Sequence, residues 1–341
     1  MKLNLVTGGT GLVGSHVLYY LCLQNTTVRA IKRAHSNTDS VQRLFQYLSP
    51  NGLELFSKIE WFEADLLDIP ALEIAFENVN FVYHCAAFVS FKSGDKKLMK
   101  QINETGTANM VNLSLDFKIE KFCHVSSIAA LGRNSKINTI DESHWWKPSK
   151  ENSSYSESKF GAEREVWRGI EEGLNAVIIN PSIIIGPGEW GKSSTNFFPS
   201  AFKGLKFYAD GKTGFVDVRD VAQSMIQLMN SEFSGERFIV NGENLRYRHF
   251  FNLLHQALGK PIPSIHISKK MSEIIWRLSV FIAWLTRTNP LITKETAQSA
   301  YQEFEFSNQK ITTALNINFI KIEDAIKHTA NIFLAQQKNS P

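Results

Sequence analysis

The chain has 341 residues, of which 43% are hydrophobic and 21% charged, a composition typical of folded globular proteins and not of disordered ones. Its 37 basic and 33 acidic residues leave a formal net charge of +4 without a long basic run, so a dedicated nucleic-acid surface is not expected. Three unevenly spaced cysteines, Cys22, Cys85 and Cys123, favour neither a disulfide framework nor a metal site.

The first element is a short strand followed by a glycine-rich turn. Leu3 to Val6 form an apolar run, and apolar residues then recur at helical spacing from Val13 to Leu23. Between them stands "TGGTGLVG", which fits either an ordinary turn or a phosphate-binding loop. We predict the second: three glycines, with Leu12 and Val13 of the first helical turn, would bind a dinucleotide. The glycines are Gly8, Gly11 and Gly14.

Six more apolar segments are predicted to be strands, each next to a helical stretch. They are "TTVRAIKRA", "IEWFEADLLD", "VNFVYHCAA", "KFCHVSSIAA", "LNAVIINPS" and "ERFIVNG". This alternation predicts an α/β protein with a parallel sheet covered on both faces. In such sheets ligands bind at the carboxyl ends of the strands.

Beyond Pro181 the pattern changes to a glycine-rich connection and, after Gly242, a mostly helical chain. We predict a dinucleotide-binding domain of residues 1–182 plus about 215–242, and a smaller substrate lobe of residues 183–214 plus 243–341. The apolar stretch "IIWRLSVFIAWL" from Ile274 is shorter than the ~20 residues that span a bilayer and contains Arg277. It therefore predicts a buried or interfacial helix.

The end of the second predicted strand bears on cofactor choice. An acidic residue there would accept hydrogen bonds from the ribose of NAD, but this chain has Lys32 and Arg33. Both could bind a 2′-phosphate, with Ser36 as a further donor, or be solvated loop charges. We expect a preference for NADP(H), with NAD(H) as the alternative. Asp65, beside Leu66, would hold the adenine amine or cap the next helix.

A helix is predicted to begin near Tyr155, because Ser154 and Glu157 have the spacing of a capping box. Tyr155 and Lys159 are four residues apart and share a face of that helix. A nearby ammonium favours the phenolate form, so the pair suits proton transfer beside hydride transfer. The fifth strand brings Ser126 and Ser127 to the same edge, where a hydroxyl can orient a carbonyl.

Taken together and in order, these motifs resemble the extended short-chain dehydrogenase/reductase family. They are "TGGTGLVG", "YHCAA", "INETGTANM", "HVSSIAALG", "YSESK" and "NPSIIIGPG". The resemblance implies a Rossmann-type doubly wound sheet and a catalytic set of Ser127, Tyr155 as acid/base and Lys159 as its activator and a ribose ligand. It also implies cofactor contacts from the backbone of Ala86 and Ala87, from Pro181 and Ser182, and a structural or cofactor-adjacent Asn103. His84 and His124 lie in predicted strands, so we expect hydrogen-bonded core histidines there and not catalysts.

Within that family, the stretches "EEGLNAVIINPSIIIGPG" and "NPLITKETAQSAYQEFEFSNQKI" resemble the branch that includes dihydroflavonol reductases and hydroxysteroid-dehydrogenase-like proteins. Dehydratases of the family carry an Asp-Glu pair after the catalytic hydroxyl, where this chain has Ile128 and Ala129. We expect an NADPH-dependent reductase of a bulky or hydrophobic carbonyl compound. Trp276, Phe281 and Trp284 would form either an aromatic substrate wall or the core of the lobe.

Two other functions remain open from the sequence. A sugar-nucleotide epimerase would use Arg219, Arg246 and Arg248 to hold a second diphosphate, and a non-catalytic protein would only sense dinucleotides. The expected partner is a small-molecule substrate, in a protein that could form a homodimer. Since the first strand begins at Leu3, no signal peptide is expected, and the predicted location is cytoplasmic.

Overall fold

The computed structural model describes residues 2–90, 93–132, 139–149, 152–286, 297 and 300–338, without the side chains of residues 93 and 280–286. The strands are β1 Leu3–Thr7, β2 Thr27–Lys32, β3 Ile59–Glu63, β4 Val79–His84, β5 Lys121–Val125, β6 Thr139–Ile140, β7 Ala176–Pro181, β8 Ile183–Ile185, β9 Phe207–Tyr208, β10 Lys212–Asp217, β11 Glu236–Val240, β12 Glu243–Arg246, β13 Ile265–His266 and β14 Glu305–Phe306. The helices are α1 Leu12–Leu23, α2 Asp39–Leu48, α3 Gly52–Ser57, α4 Ile69–Phe76, α5 Lys96–Lys100, α6 Gly106–Asp116, α7 Ser154–Glu171, α8 Phe197–Phe202, α9 Val218–Met229, α10 Tyr247–Ala257, α11 Lys269–Thr286, α12 Gln309–Leu315 and α13 Ile322–Lys338.

The main sheet has seven strands in the order β11-β7-β5-β4-β1-β2-β3. Every pairing between neighbours is parallel. The chain moves outward from β1 to β3 and then returns to β4 on the other side of β1. This reversal confirms the doubly wound fold, and it opens a crevice at the carboxyl ends of β1 and β4, the usual ligand position.

Helices cover both faces of this sheet because its strands are apolar on both sides. On one face α1 and α9 pack through Val17, Leu18, Val221 and Met225, and on the other α4, α6 and α7 enclose Phe122. None of the described helices is long and apolar enough to cross a membrane.

A third hydrophobic cluster lies against the three-stranded sheet β12-β10-β8. The rings of Phe215 and Phe250 stack there with centroids 4.4 Å apart, and Phe198 and Phe333 complete the centre of the cluster. The two-lobe division at about residue 215 remains a prediction. Phe215, at the predicted boundary, packs in this third cluster, whereas β11, which follows it in the chain, belongs to the main sheet.

The turn between β1 and α1 is too tight for side chains. Gly8 has φ +67°, and a Cβ on it would lie 2.7 Å from the backbone of Ala86. A Cβ on Gly14 would lie 2.2 Å from the carbonyl oxygen of Gly8, to which the Gly11 N–H also donates at 2.8 Å. The glycine spacing therefore lets α1 begin directly against the end of β1.

We predict that Gly14→Ala lowers the free energy of unfolding by about 1–3 kcal/mol, because the new methyl group meets backbone atoms that must move apart. Urea unfolding followed by circular dichroism measures the change. Gly94→Ala is the matched control, since no atom lies within 4 Å of the Cβ it would add. Equal stability of the two variants would contradict the close contact between Gly14 and Gly8.

Three buried histidines lie in the core near the crevice. His84 contacts the hydroxyls of Thr7 at 2.7 Å and Thr107 at 3.0 Å, which confirms it as a hydrogen-bonded core residue. His16 bonds the Leu12 carbonyl at 2.9 Å. His124 is also fully buried in the core, but it is not hydrogen-bonded as expected: its ring stacks on that of His84 with centroids 5.3 Å apart, and neither ring nitrogen has a partner among the described residues.

Burial lowers the pKa of His16 to about 4 and of His84 to about 3, and it lowers that of His124 well below 6.5. Below pH 6.5 the unfolded chain therefore binds more protons than the folded one, so the free energy of unfolding falls as the pH falls. Each histidine contributes at most about 1.4 kcal/mol per pH unit. Urea unfolding at pH 7, 6 and 5 tests this slope.

A variant can isolate one of these histidines. His124→Leu removes a buried polar ring without breaking a hydrogen bond, so we expect unchanged or higher stability at pH 7 and a shallower loss towards pH 5. The control is His249→Leu at an exposed position, which should leave the slope unchanged. A His124→Leu slope as steep as the native one would show that His124 does not contribute.

Candidate active site

The glycine loop leaves the N-terminus of α1 open at the crevice. Gly11 is the N-cap residue, and no side chain caps the first helical turn. The backbone N–H groups around Leu12 and Val13 have no partner within the helix, as is general for a first turn. Such a turn attracts phosphate groups, and the missing Cβ atoms of Gly8 and Gly11 leave space for them.

The segment after β4 forms the opposite wall of this loop. The N–H of Ala86 donates to the Thr7 hydroxyl at 3.2 Å, while Ala87 is exposed. Asn103 fixes this segment, because its side chain accepts from the N–H of Phe88 at 2.7 Å and donates to the Phe88 carbonyl at 3.0 Å. Asn103 also donates to the Ser158 hydroxyl at 3.0 Å, so it joins the crevice wall to α7.

Ser127 follows the end of β5 in extended backbone, where its hydroxyl accepts from the N–H of Ala129 at 3.1 Å. It also hydrogen-bonds the Tyr155 side chain. The pKa of Tyr155 is raised overall, because burial raises it by more than the bond to Ser127 lowers it. The neighbouring Ser126 is turned inward, donating to Glu163 at 2.5 Å. This geometry supports the choice of Ser127 over Ser126 as the site hydroxyl.

Helix α7 places Tyr155 beside Ser127. The predicted cap at Ser154 is wrong by one residue: Ser153 is in the extended conformation, and its hydroxyl accepts from the N–H of Ser156 at 3.0 Å. The helix start is also held by Ser156, which donates to the Ala129 carbonyl at 2.6 Å. The turn after Ser127 and the turn containing Tyr155 are thus joined directly.

Lys159 lies one turn after Tyr155 and is buried, with 2% of its surface exposed. Its ammonium donates to the Val125 carbonyl at 2.7 Å. Burial lowers its pKa to about 8, and the charge of Glu163 opposes that shift. Lys159 is consequently a cation at neutral pH, held between the end of β5 and α7.

Beneath these side chains lies a buried network that the sequence analysis did not identify. The Glu163 carboxylate accepts from Ser126, from Asn180 at 2.8 Å, from Trp167 at 3.3 Å and from Arg237 at 3.1 Å. Asn180 also donates to the Ser127 carbonyl at 3.0 Å. Two signals were present: Glu163 follows Lys159 by one helical turn, and Arg237 is a charge within an otherwise apolar strand.

The predicted adenosine end lies at the carboxyl ends of β2 and β3. Lys32 makes an ion pair with Glu63 at 3.7 Å, and Arg33 is exposed. Asp65 does not cap α4, because that helix begins later, at Ile69, and Asp68 caps it by accepting from Ala71. Asp65 instead accepts from the N–H of Leu67 at 3.0 Å.

The other residues predicted to contact the cofactor lie in backbone segments that are held by hydrogen bonds within the protein. The Leu66 carbonyl accepts from Asn109 at 2.8 Å. Pro181 ends β7 opposite Val240, and the N–H of Ser182 donates to the Val240 carbonyl at 3.1 Å. Of the predicted aromatic wall, Trp276 bonds Glu273 at 3.1 Å, whereas the side chains of Phe281 and Trp284 lie outside the described residues.

Comparisons with known proteins agree with this architecture. Residues 4–241 match the model of the NAD dependent epimerase/dehydratase family. Sterol demethylase protein B of Methylococcus capsulatus is 27% identical over 79% of this chain and 79% of that protein. A Synechocystis protein of the dihydroflavonol 4-reductase type is 27% identical over 96% of this chain and 93% of that protein.

Among solved structures, the crystal structure of gox2253 superposes with a TM-score of 0.80 at 28% identity and covers 98% of this chain and 99% of that one. The family match spans the glycine loop, Ser127, Tyr155 and Lys159. The chain therefore belongs to the NAD dependent epimerase/dehydratase family and is an NAD(P)-dependent oxidoreductase of the extended short-chain dehydrogenase/reductase type.

Proposed function

We propose that the protein is an NADPH-dependent reductase of a small, bulky or apolar carbonyl compound. The observation that carries the proposal is the hydrogen bond between Ser127 and Tyr155, with the Lys159 cation one helical turn away. These groups lie at the carboxyl edge of the sheet that also carries the glycine loop. A substrate carbonyl in front of Ser127 would thus lie next to both a hydroxyl and a proton donor.

The roles of the residues follow from this arrangement. Gly8, Gly11 and Gly14 would hold the dinucleotide, which would supply or accept the hydride when bound. Ser127 donates to the substrate oxygen, so it orients the carbonyl and stabilises the charge that develops there. Tyr155 gives its phenolic proton to the same oxygen. The Lys159 cation favours the phenolate that remains. Burial raises the pKa of Tyr155, and the hydrogen bond from Ser127 opposes that shift.

The preference for NADP(H) is proposed from charge at the end of β2. No acidic residue lies between Thr27 and Ala34, whereas Lys32 and Arg33 are basic. Lys32 is partly compensated by Glu63. Arg33 is exposed and has no ion-pair partner among the described residues, so we assign it the larger part in binding a 2′-phosphate.

The contacts give little support to an epimerase. Arg219 makes two bonds to buried Asp217, Arg246 pairs with Glu303, and Arg248 stacks on Tyr208. Each of the three arginines thus already has a partner within the protein. The dehydratase acid pair is replaced by Ile128 and Ala129, which lie buried in the turn after Ser127.

The substrate class is proposed from the reductase and sterol relatives. Their names refer to a dihydroflavonol, a polycyclic ketone, and to a sterol, both bulky compounds with an apolar body. A bulky carbonyl compound is therefore the class to test first.

Tyr155→Phe should reduce kcat for NADPH-dependent ketone reduction by about 10²- to 10⁴-fold, because the proton donor is lost while the ring remains. Turnover is measured as NADPH oxidation with a panel of apolar ketones, and NADPH binding by nicotinamide fluorescence. Tyr47→Phe, at a partly exposed position, is the matched control. Full activity of Tyr155→Phe would contradict the mechanism; NADPH responses without turnover in the native protein would favour the dinucleotide sensor.

Arg33→Glu should weaken NADPH binding by at least ~10-fold and change NADH binding little, since only NADPH carries the 2′-phosphate. Arg43→Glu makes the same charge change at an exposed position on α2. Fluorescence titration measures both affinities, and mass spectrometry identifies any nucleotide released on denaturation. Tightly retained NAD with equal effects on both cofactors would instead favour the epimerase.

A further inference from the structure

One part of the small lobe exposes an unusual number of large apolar side chains. They are Phe207, Ile262, Ile265, Met271, Ile274 and Leu278, each at least 41% exposed. All belong to two described segments, residues 203–210 and 260–279, which we call the α11 surface. Clustered exposed apolar residues of this kind indicate a binding surface.

The two segments are joined by strand pairing. Strand β9 pairs with β13, so Phe207 lies opposite Ile265, and the N–H of Ile265 donates to the Lys206 carbonyl at 3.0 Å. The Lys260 ammonium lies 4.1 Å from the ring centroid of Phe202, the residue that precedes Lys203 in the chain. Helix α11 begins three residues after β13 ends.

The apolar stripe of α11 faces solvent. Met271, Ile274 and Leu278 are three and four residues apart, so they lie along one side of the helix, and they are 45%, 60% and 54% exposed. Ser272, which points to a different side, is buried. A surface helix of a globular protein normally has the reverse arrangement, with its apolar stripe towards the core.

The charge of the α11 surface is strongly basic. It carries six basic residues, Lys203, Lys206, Lys260, Lys269, Lys270 and Arg277, against two acidic ones, Asp210 and Glu273. This excess of four equals the formal net charge of the whole chain. Both acids are paired, Asp210 with His266 and Glu273 with Arg277, each at 2.8 Å.

We propose that the α11 surface binds an anionic lipid bilayer, with the stripe of α11 in the headgroup region and the lysines on lipid phosphates. An exposed apolar stripe flanked by basic residues is the pattern of a helix that lies in a membrane interface without crossing it. The positive excess supplies the charge complementarity, because each basic residue near an anionic membrane adds to binding. This proposal is independent of the reaction proposed above.

Co-sedimentation with vesicles tests the proposal. The full chain should bind vesicles of phosphatidylcholine with phosphatidylglycerol, bind pure phosphatidylcholine at least ~10-fold more weakly, and lose affinity as salt is raised. Lys269→Glu with Lys270→Glu should weaken binding to the anionic vesicles by at least ~10-fold. Ile274→Ser with Leu278→Ser should weaken binding to a similar extent.

The matched control is Leu53→Ser with Ile74→Ser, which removes two equally exposed apolar side chains elsewhere and should bind like the native chain. Circular dichroism and NADPH binding verify that each variant is folded. Absent or composition-independent vesicle binding would overturn the proposal. So would a concentration-dependent dimer that Ile274→Ser with Leu278→Ser disrupts, because the surface would then be an interface between copies.

Discussion

The site depends on one buried ion pair, between Glu163 and Arg237, whose side chains are 1% and 3% exposed. Charges removed from water are tolerated only when each is paired and hydrogen-bonded, so neither side chain can shift without leaving the other uncompensated. The donors to Glu163 come from the ends of β5 and β7, from β11 and from Trp167 of the same helix α7. Arg237 also donates to the carbonyls of Glu142 and His144. The ion pair therefore links the strand ends that present Ser127, in addition to the apolar packing of β5 and β7.

Much of the fold could be predicted because it depends on local pattern. The strands of the main sheet are near-continuous apolar runs, and the glycines have the spacing that a strand-turn-helix junction requires. The small lobe gave no such signal: β10 pairs with β8 on one side and β12 on the other, and only the folded chain brings these short segments together. The misplaced cap of α7 has a simpler cause, since Ser153 and Ser154 are chemically equivalent and only backbone conformation distinguishes them.

The site shows the same division. Ser127, Tyr155 and Lys159 were predicted because each depends on a strand end or a helical spacing of four. Arg237 was missed because its partner lies 74 positions away. The ion pair of Lys32 was missed because Glu63 faces it only through the pairing of β2 with β3. His124 is the opposite case. Its sequence position predicted a hydrogen-bonded core residue, and the packing gives it a ring neighbour instead.

Helices α5 and α6 are continuous through Gln101–Thr105, which forms a wider, π-helical turn and not an α-helical one. We call this continuous helix the rod. A wider turn holds one residue more than an α-helical turn, so the two halves of the rod are offset by about 100° from a uniform helix. Asn103 lies in that turn, and Met99 and Met110 are buried on either side of it. Shortening this turn by one residue would rotate α6 against the sheet. Substitutions in this turn should therefore be tolerated better than the deletion of one residue.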